Sequence, residues 1–564
     1  MAQEPAAASR EGGQAAAVQA YHEHSKHRPE RYAPGPGRLD WENQPDPWRS
    51  WEGAARTILP LAADGLATRH AALRRGELPP PAPFDREHLG ILFELSLALS
   101  AWKSFGGSRW ALRCNPSSGN LHPTEGYLIA PALPGIPAGV HHYLSRDHVL
   151  EQRAAPPDGR NEGSEAGWEE GWEGDWTRAF GGQGVLVALS SIHWREAWKY
   201  GMRAWRYCQH DCGHAVAAVT LAAAALGWRA RVLDRAGDED IARLAGLDRA
   251  ADFDGAEREA PDVLLQLGAT EGGIDVDALL ALAGRAGWHG HANRLSSAHV
   301  DWPEIAVVDA AARKPRTAAA PAPSLPAPAP PAPAALDLPF ATLALQRRSA
   351  VAFDGVTTMA AETFFAVLDA LLPRAGVPPW SAWAWPPQVH PALFVHRVDG
   401  LEPGLYVLVR DPAALAELRG AMREDWLWHR TGPAPLPLYL LIPYDLRATA
   451  QLVSCHQEIA ADSCFALGML ARTGLVAREP WRYAQLFREC GLLGQALYLE
   501  AEAAGLRGTG IGCFFDDTMH ELLGLAGGEW QSLYHFTVGG PVEDVRLSSL
   551  PPYGAARRAQ TPKT

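Results

Sequence analysis

The sequence predicts an α+β fold made of two related halves joined by a tether. Three observations predict it. From about Ala311 to Leu338 the chain is almost entirely Ala and Pro, with Ser324 and a few basic residues. On each side of that stretch a His-Pro pair opens an apolar strand, a Pro/Gly turn and a second strand. Further along each side, an acidic residue followed by Cys-Gly opens a small-residue helix that ends at a glycine.

The tether comes first. At 564 residues the chain is too long for one core, so more than one domain is expected. An Ala/Pro segment cannot bury enough surface to offset its ordering entropy, and it favours extended polyproline II. At about 3.1 Å per residue it could cross a whole domain. The boundaries that follow are a disordered tail over 1–20, a first half over 21–310, the tether over 311–338, a second half over 339–552 and a second tail over 553–564.

The repeat comes next. His122-Pro123 precedes the strand Gly126 to Ala130, the turn Pro134 to Gly139, and Tyr143. His390-Pro391 precedes Ala392 to Val398, the turn Gly400 to Gly404, and Tyr406. Asp211-Cys212-Gly213-His214 opens a helix ending at Gly227, and Glu489-Cys490-Gly491-Leu492 opens one ending at Gly505, over the same interval. Chance likeness in an Ala-rich chain is the alternative, but two motifs in one order favour duplication. Helices so rich in Ala and Gly allow close backbone approach and suit a central pair. Strands alternating with helices in each half give a layered α+β fold.

Composition narrows the function. Apolar residues make up 47% and charged residues 20%, as in a globular protein. A net charge of −13 with no basic concentration argues against nucleic-acid binding. No apolar run reaches the roughly 18–20 residues of a membrane span, and Met1 to Val18 lacks the apolar core of a secretory signal. Seven scattered cysteines do not form a disulfide framework, which makes cytoplasm the expected compartment. Cys208, His210, Cys212 and His214 are metal-ligand types, but they lead into the apolar run Ala215 to Leu226 and read as a packed helix, so no metal is expected. Trp168, Trp172 and Trp176 recur at helical spacing among acidic residues; packing onto the domain and a lid over the site are both open readings.

Four segments carry chemistry. Asn115-Pro116-Ser117-Ser118-Gly119-Asn120-Leu121-His122-Pro123 is dense in small donors just before a strand, suited to a flat polar heterocycle or to a turn. Gln346-Arg347-Arg348-Ser349 could grip a phosphate, or be a solvated basic turn. Gly508-Thr509-Gly510-Ile511-Gly512-Cys513-Phe514-Phe515-Asp516-Asp517 lets backbone approach an anion, yet its spacing fits neither the dinucleotide fingerprint nor the lysine-containing phosphate loop. Trp198-Lys199-Tyr200-Gly201-Met202-Arg203-Ala204-Trp205-Arg206-Tyr207 is an amphipathic helix start, or a proton-transfer pair followed by spaced arginines.

Together these segments resemble the nitroreductase superfamily and, within it, the SagB/ThcOx-type dehydrogenases that oxidise azolines to azoles. The stretches Tyr21 to His27 and Leu39 to Pro47 are similar to the opening of tandem members. The resemblance implies two fused nitroreductase-like halves, of three-layer α/β/α sandwich type, forming a pseudo-dimer with FMN between them. It implies that Arg347, Arg348, Ser349, Gly510, Ile511 and Gly512 of the second half hold FMN. From the first half it adds Pro116, Ser117, Ser118, Asn120 and Arg203, with Lys199 and Tyr200 catalytic. The mirror-image site is expected to be vestigial, with Ser25-Lys26-His27 in place of Arg-Arg-Ser and Gly227 to Arg231 in place of the glycine loop. The implied activity is hydride transfer between a substrate carbon and flavin N5. A small molecule or modified peptide would be the substrate, and oxygen the acceptor or NAD(P)H the donor. The alternatives are an NAD(P)H-dependent nitro- or quinone reductase and a non-catalytic flavin- or peptide-binding partner. The fused chain would act as a monomer or a homodimer, without nucleic acid or membrane.

Overall fold

The computed structural model describes residues 4–157, 171–270, 272–320, 325–326 and 337–554. Helix α1 (Glu4–His24) leads into a hairpin of β1 (Leu99–Phe105) and β2 (Ser108–Arg113). The first half then supplies β3 (Thr124–Ala130), β4 (Gly139–Leu144), β5 (Val149–Ala155), β6 (Val185–Ser191), α2 (His193–Tyr200), α3 (Ala204–Ala225), β7 (Arg229–Val232), β8 (Ala260–Gly268) and β9 (Gly287–Trp288). The second half supplies α4 (Phe340–Gln346), β10 (Val389–Val395), β11 (Gly404–Leu408), β12 (His429–Thr431), β13 (Leu438–Pro443), β14 (Phe465–Arg472), α5 (Arg482–Ala503), β15 (Arg507–Ile511), α6 (Asp516–Leu523), β16 (Trp530–Gly539) and β17 (Ser548–Leu550).

The repeat read in the sequence is present as topology. The first sheet runs β9-β5-β4-β3-β6-β8-β7 and the second β12-β13-β11-β10-β14-β16-β15, so six strands of each hold equivalent places, while the edge strands β9 and β12 come from different points of their halves. In both, every neighbouring pair is antiparallel. Ala55–Ile58 adds a further strand beside β5.

Strand alternation sorts side chains into layers. Along β3, Leu128 and Ala130 join a large core shared by both halves, while Tyr127 and Ile129 face a second core under outer helices. On β10, Leu393 and Val395 join the shared core and Ala392 and Phe394 a third. Both faces of each sheet are therefore covered, with α3 and α5 in the middle. These helices have 22 residues each and cross where Gly213 meets Gly491. A Cβ on Gly213 would overlap the carbonyl of Arg488, and one on Gly491 that of His210. Only glycine lets the two backbones come this close.

Three boundaries differ from the sequence reading. Residues 4–20, expected in a disordered tail, belong to α1, which is held by Tyr21 Oη donating to the Met202 carbonyl (2.8 Å) and by His22 against Tyr483 (2.9 Å). Tyr553, placed in the second tail, is buried in the first half, where its hydroxyl donates to Ser145 O (2.7 Å). The start of the tether is docked: Arg316 Nε donates to Asp240 (2.7 Å) and Thr317 Oγ1 to Asp234 O (2.8 Å). In each case polar partners far away in sequence supply what local composition does not reveal.

The Trp stripe packs onto the domain. Trp172 and Trp176 stack at 4.7 Å, and Trp176 Nε1 donates to Ala130 O (2.8 Å). Trp168 lies outside the described residues. Among the described residues no helix is long and apolar enough to cross a membrane.

Candidate functional site

Between the halves lies a cleft of about 770 Å³, within the range of roughly 300–1,000 Å³ that suits small-molecule and cofactor sites. The first half lines it with Lys103, Arg113, residues 115–120, Tyr200, Tyr207 and Asp211. The second half lines it with residues 346–351, Tyr498, Arg507, residues 509–513, Tyr534 and part of 541–549. Three of the four predicted segments thus meet there, and Tyr200 represents the fourth.

The loop after β2 is strongly bent: Gly119, Asn120 and His122 all have positive φ, of 58°, 60° and 55°. Two of these are not glycine, so the bend has to be held from outside. Ser118 N–H (3.1 and 3.0 Å) and its hydroxyl (2.9 Å) donate to the Asp211 carboxylate on α3. Ser117 Oγ accepts from His122 N–H (2.7 Å), and Asn120 Nδ2 donates to Ala111 O (2.8 Å). The side chains of Ser117, Ser118 and Asn120 therefore brace the loop. The anchor recurs in the second half, where Glu489 accepts from the N–H groups of Gln388 (3.0 Å) and Val389 (3.3 Å).

What the loop leaves free is different. Asn115 is 2% exposed, lines the cleft, and its Oδ1 has no hydrogen-bond partner; His122 Nδ1 is likewise buried and unpartnered. Buried polar atoms are almost always paired, so both are vacancies that a polar ligand can satisfy.

The arginines after α4 divide their work. Arg347 is buried and ties Nε to Cys114 O (3.1 Å) and Nη2 to Arg113 O (3.0 Å), across the boundary between halves. Arg348 donates to Ser100 Oγ (3.2 Å), Ser100 O (3.1 Å) and Arg347 O (2.7 Å). Burial and then the charge of Arg347 pull Arg348 down to about 10, still protonated at neutral pH. With Lys103, Arg113 and Arg507 they give the cleft five cationic side chains against the acidic Asp211, Glu543 and Asp544, a balance that favours an anionic ligand. Ser349 Oγ meets Tyr498 Oη at 2.9 Å.

The glycine loop is lined by tyrosines. A Cβ on Gly510 would overlap the Tyr534 hydroxyl, and one on Gly512 the Tyr207 ring. Gly510 N–H donates to Tyr498 Oη (3.0 Å), and Tyr207 Oη donates to Gly512 O (3.1 Å). The glycines therefore make room for rings that form the cleft floor.

Tyr200 and Lys199, at the end of α2, reach Gly119. The Tyr200 hydroxyl occupies the space of a Cβ on that glycine, and Lys199 Nζ would lie 3.1 Å from it. Burial, then the charges of Glu196 and the neighbouring Tyr207, raise the Tyr200 phenol well above 10, so it stays protonated at neutral pH. Arg203, expected at the cofactor, is placed behind the cleft wall: it donates to Gly512 O (3.1 Å from Nη2) and to Asp516 (3.1 Å). It positions the glycine loop instead of lining the cleft.

The mirror-image position is smaller and differently lined. Thr220, equivalent to Tyr498, and Arg229–Arg231 of β7, equivalent to β15, face a cavity of about 400 Å³ together with Gly376, Pro378 and Ser381. Ser25, Lys26 and His27 are not there. Ser25 accepts from Arg206 (2.9 Å) and Lys26 pairs with Asp517 (2.8 Å), on the far side of α3.

Lys103, Arg113, Asn115, Tyr207, Tyr498, Arg507 and Tyr534 went unread as site residues. Only Asn115 and Tyr207 stood inside recognised motifs. The rest arrive through packing of distant elements.

Residues 94–254 and 400–540 both match the Nitroreductase family. No curated protein is significantly similar in sequence. A protein of Anabaena variabilis ATCC 29413 assigned as a nitroreductase superposes with a TM-score of 0.64 at 21% identity, over 93% of this chain and 99% of its own. One from Ralstonia eutropha JMP134 gives 0.27 at 16%, over 39% and 90%. A chain of the E. coli microcin synthetase McbBCD complex with truncated pro-MccB17 bound gives 0.26 at 17%, over 46% and 94%. With one matched segment in each half, together more than half of its length, the chain belongs to the nitroreductase family.

Proposed function

We propose that the chain is an FMN-dependent oxidoreductase with one flavin in the composite cleft, and that it is a dehydrogenase of the SagB type. The observation that carries the reading is the meeting of loop 115–120, Arg347–Ser349 and Gly510–Gly512 from both halves around one cationic cavity. The donor set fits FMN: cations for a phosphate, the Asn115 oxygen as an acceptor for a ring N–H, and tyrosine faces for a flat ring system. When bound, the flavin supplies a two-electron acceptor or donor.

The chain's own residues do the rest. Arg347, Arg348 and Ser349 bind the anionic end, and Asn115 orients the ring. Tyr207, Tyr498 and Tyr534 exclude water from the floor. Tyr200 Oη holds a proton and donates it; Lys199 Nζ, beside Gly119, takes one from a substrate carbon. Arg203 keeps the glycine loop in position through Gly512 O.

The first test is the absorbance spectrum of the purified protein, with the released cofactor identified. Absence of flavin, even after incubation with excess FMN, defeats the reading. The residue roles are tested with Lys199→Ala and Tyr200→Phe. Each is expected to slow reduction of bound flavin by an azoline-containing peptide by about 10²–10⁴-fold. If both variants match the wild type, the proton-transfer assignment fails. Rapid bleaching by NADPH with no response to azolines would instead support the reductase alternative.

A further inference from the structure

Five of the seven cysteines are buried; Cys455 and Cys513 are half-exposed, and they stand together. Cys513 follows the glycine loop and lines the cleft. Cys455 lies just beyond the helix Arg447–Val453, in a turn where Cys455 (φ 54°) and His456 (φ 60°) both take the left-handed conformation. Non-glycine residues hold that conformation only when their surroundings enforce it. Here two ties do so: Phe515 N–H donates to Val453 O (2.8 Å), and Gln457 Nε2 donates to Cys513 O (3.0 Å). They hold the 453–457 turn against residues 513–515 and so set Cys455 beside Cys513.

A third group completes the cluster. Ala33 N–H donates to His27 Nδ1 (2.8 Å), so the ring proton sits on Nε2, and His27 pairs with Phe515 alongside the 513–515 segment. Behind it Arg203 donates to Gly512 O (3.3 Å from Nε), placing a fixed positive charge one residue away. The two sulfurs are thus unequal. The neighbouring Cys455 first, then His27, lowers the Cys513 thiol, whereas the neighbouring Cys513 and burial raise Cys455. A thiolate is the nucleophilic form, and a neighbouring thiol can resolve what it forms.

We propose that Cys513 and Cys455 are a redox-active dithiol at the edge of the cleft, with Cys513 attacking a small disulfide and Cys455 resolving it. The Cys513 thiolate attacks one sulfur of a disulfide such as oxidised glutathione; that S–S bond breaks, and one thiolate leaves and takes up a proton. Cys455 then loses its proton and attacks Cys513, forming the intramolecular disulfide and releasing the second thiol. Two protein thiols are oxidised and one small disulfide is reduced to two thiols. Neither step draws on flavin, so the inference stands apart from the function proposed above.

The test uses the full chain as purified, equilibrated with oxidised or reduced glutathione, acid-quenched, alkylated under denaturing conditions and mapped by mass spectrometry. Oxidation is expected to cut alkylation at Cys455 and Cys513 by about tenfold or more and to yield the peptide that links them, while the other five cysteines stay labelled. Dithiothreitol should restore labelling. Cys455→Ser should accumulate glutathione on Cys513, and Cys513→Ser should leave Cys455 unmodified. Equal labelling of both thiols in oxidised and reduced wild-type protein overturns the proposal, as does glutathione on Cys455 when Cys513 is replaced.

Discussion

Asn115 keeps its side-chain oxygen buried and unpartnered, a cost of about 1–3 kcal/mol to the empty protein. Asn115→Leu removes that acceptor. It is expected to weaken FMN binding about 5- to 150-fold while leaving the flavin-free melting temperature equal or higher, by fluorescence titration and thermal unfolding. Asp211 makes a separate prediction. Burial raises its carboxyl from 3.8 to about 7, against the lowering effect of Ser118. The folded chain therefore holds a proton that the unfolded chain has released, and stability falls as pH rises from about 4 to about 7. Asp211→Asn should flatten that decline in melting temperature against pH; an unchanged slope would exclude Asp211 as its source. Both residues show where sequence reading stops. Composition counted the donors of the 115–120 loop correctly but could not say which would be spent on Asp211, Ala111 and each other.

Among elements, the helix pair was the most legible. The shared acidic-Cys-Gly motifs and equal intervals identified α3 and α5, but both helices, 22 residues long, begin at Ala204 and Arg482, ahead of the motifs expected to open them. The glycines within them prove to be the crossing point. Gly213→Ala should cost about 1–3 kcal/mol, since its Cβ meets backbone that no rotamer can move aside. A melting temperature equal to wild type would mean that the helices can separate freely. The Gly510–Gly512 segment was legible as a cleft wall but not in its detail. Its glycines admit the rings of Tyr534 and Tyr207, which lie on β16 and α3, and no local pattern links those positions to 510 and 512. Arg203 is similar: adjacency to Lys199 and Tyr200 suggested the cofactor, yet one turn of rotation aims it at Gly512 O and Asp516.

For the whole molecule, the duplication predicts two sites and the linings support one. The mirror cavity is about half the volume and lacks counterparts of Arg347 and the 115–120 loop. Saturated protein should therefore carry about one FMN per chain, counted from released flavin against protein concentration; a ratio near two would overturn the single-site reading. The halves and their tether were visible in composition, but their entanglement was not, because strand pairing across hundreds of residues leaves no local trace. β17, late in the second half, pairs with β1 of the first, and Tyr553 Oη accepts from Leu99 N–H (3.1 Å). Residues 541–544, 547 and 549 form part of the cleft wall. On the ribosome, then, the pocket remains open on one side until residues 541–549 have emerged. A chain stopped short of residue 541 can have formed both sheets and still have no enclosed place to capture a ligand, so ligand retention itself reports that translation has run past that point.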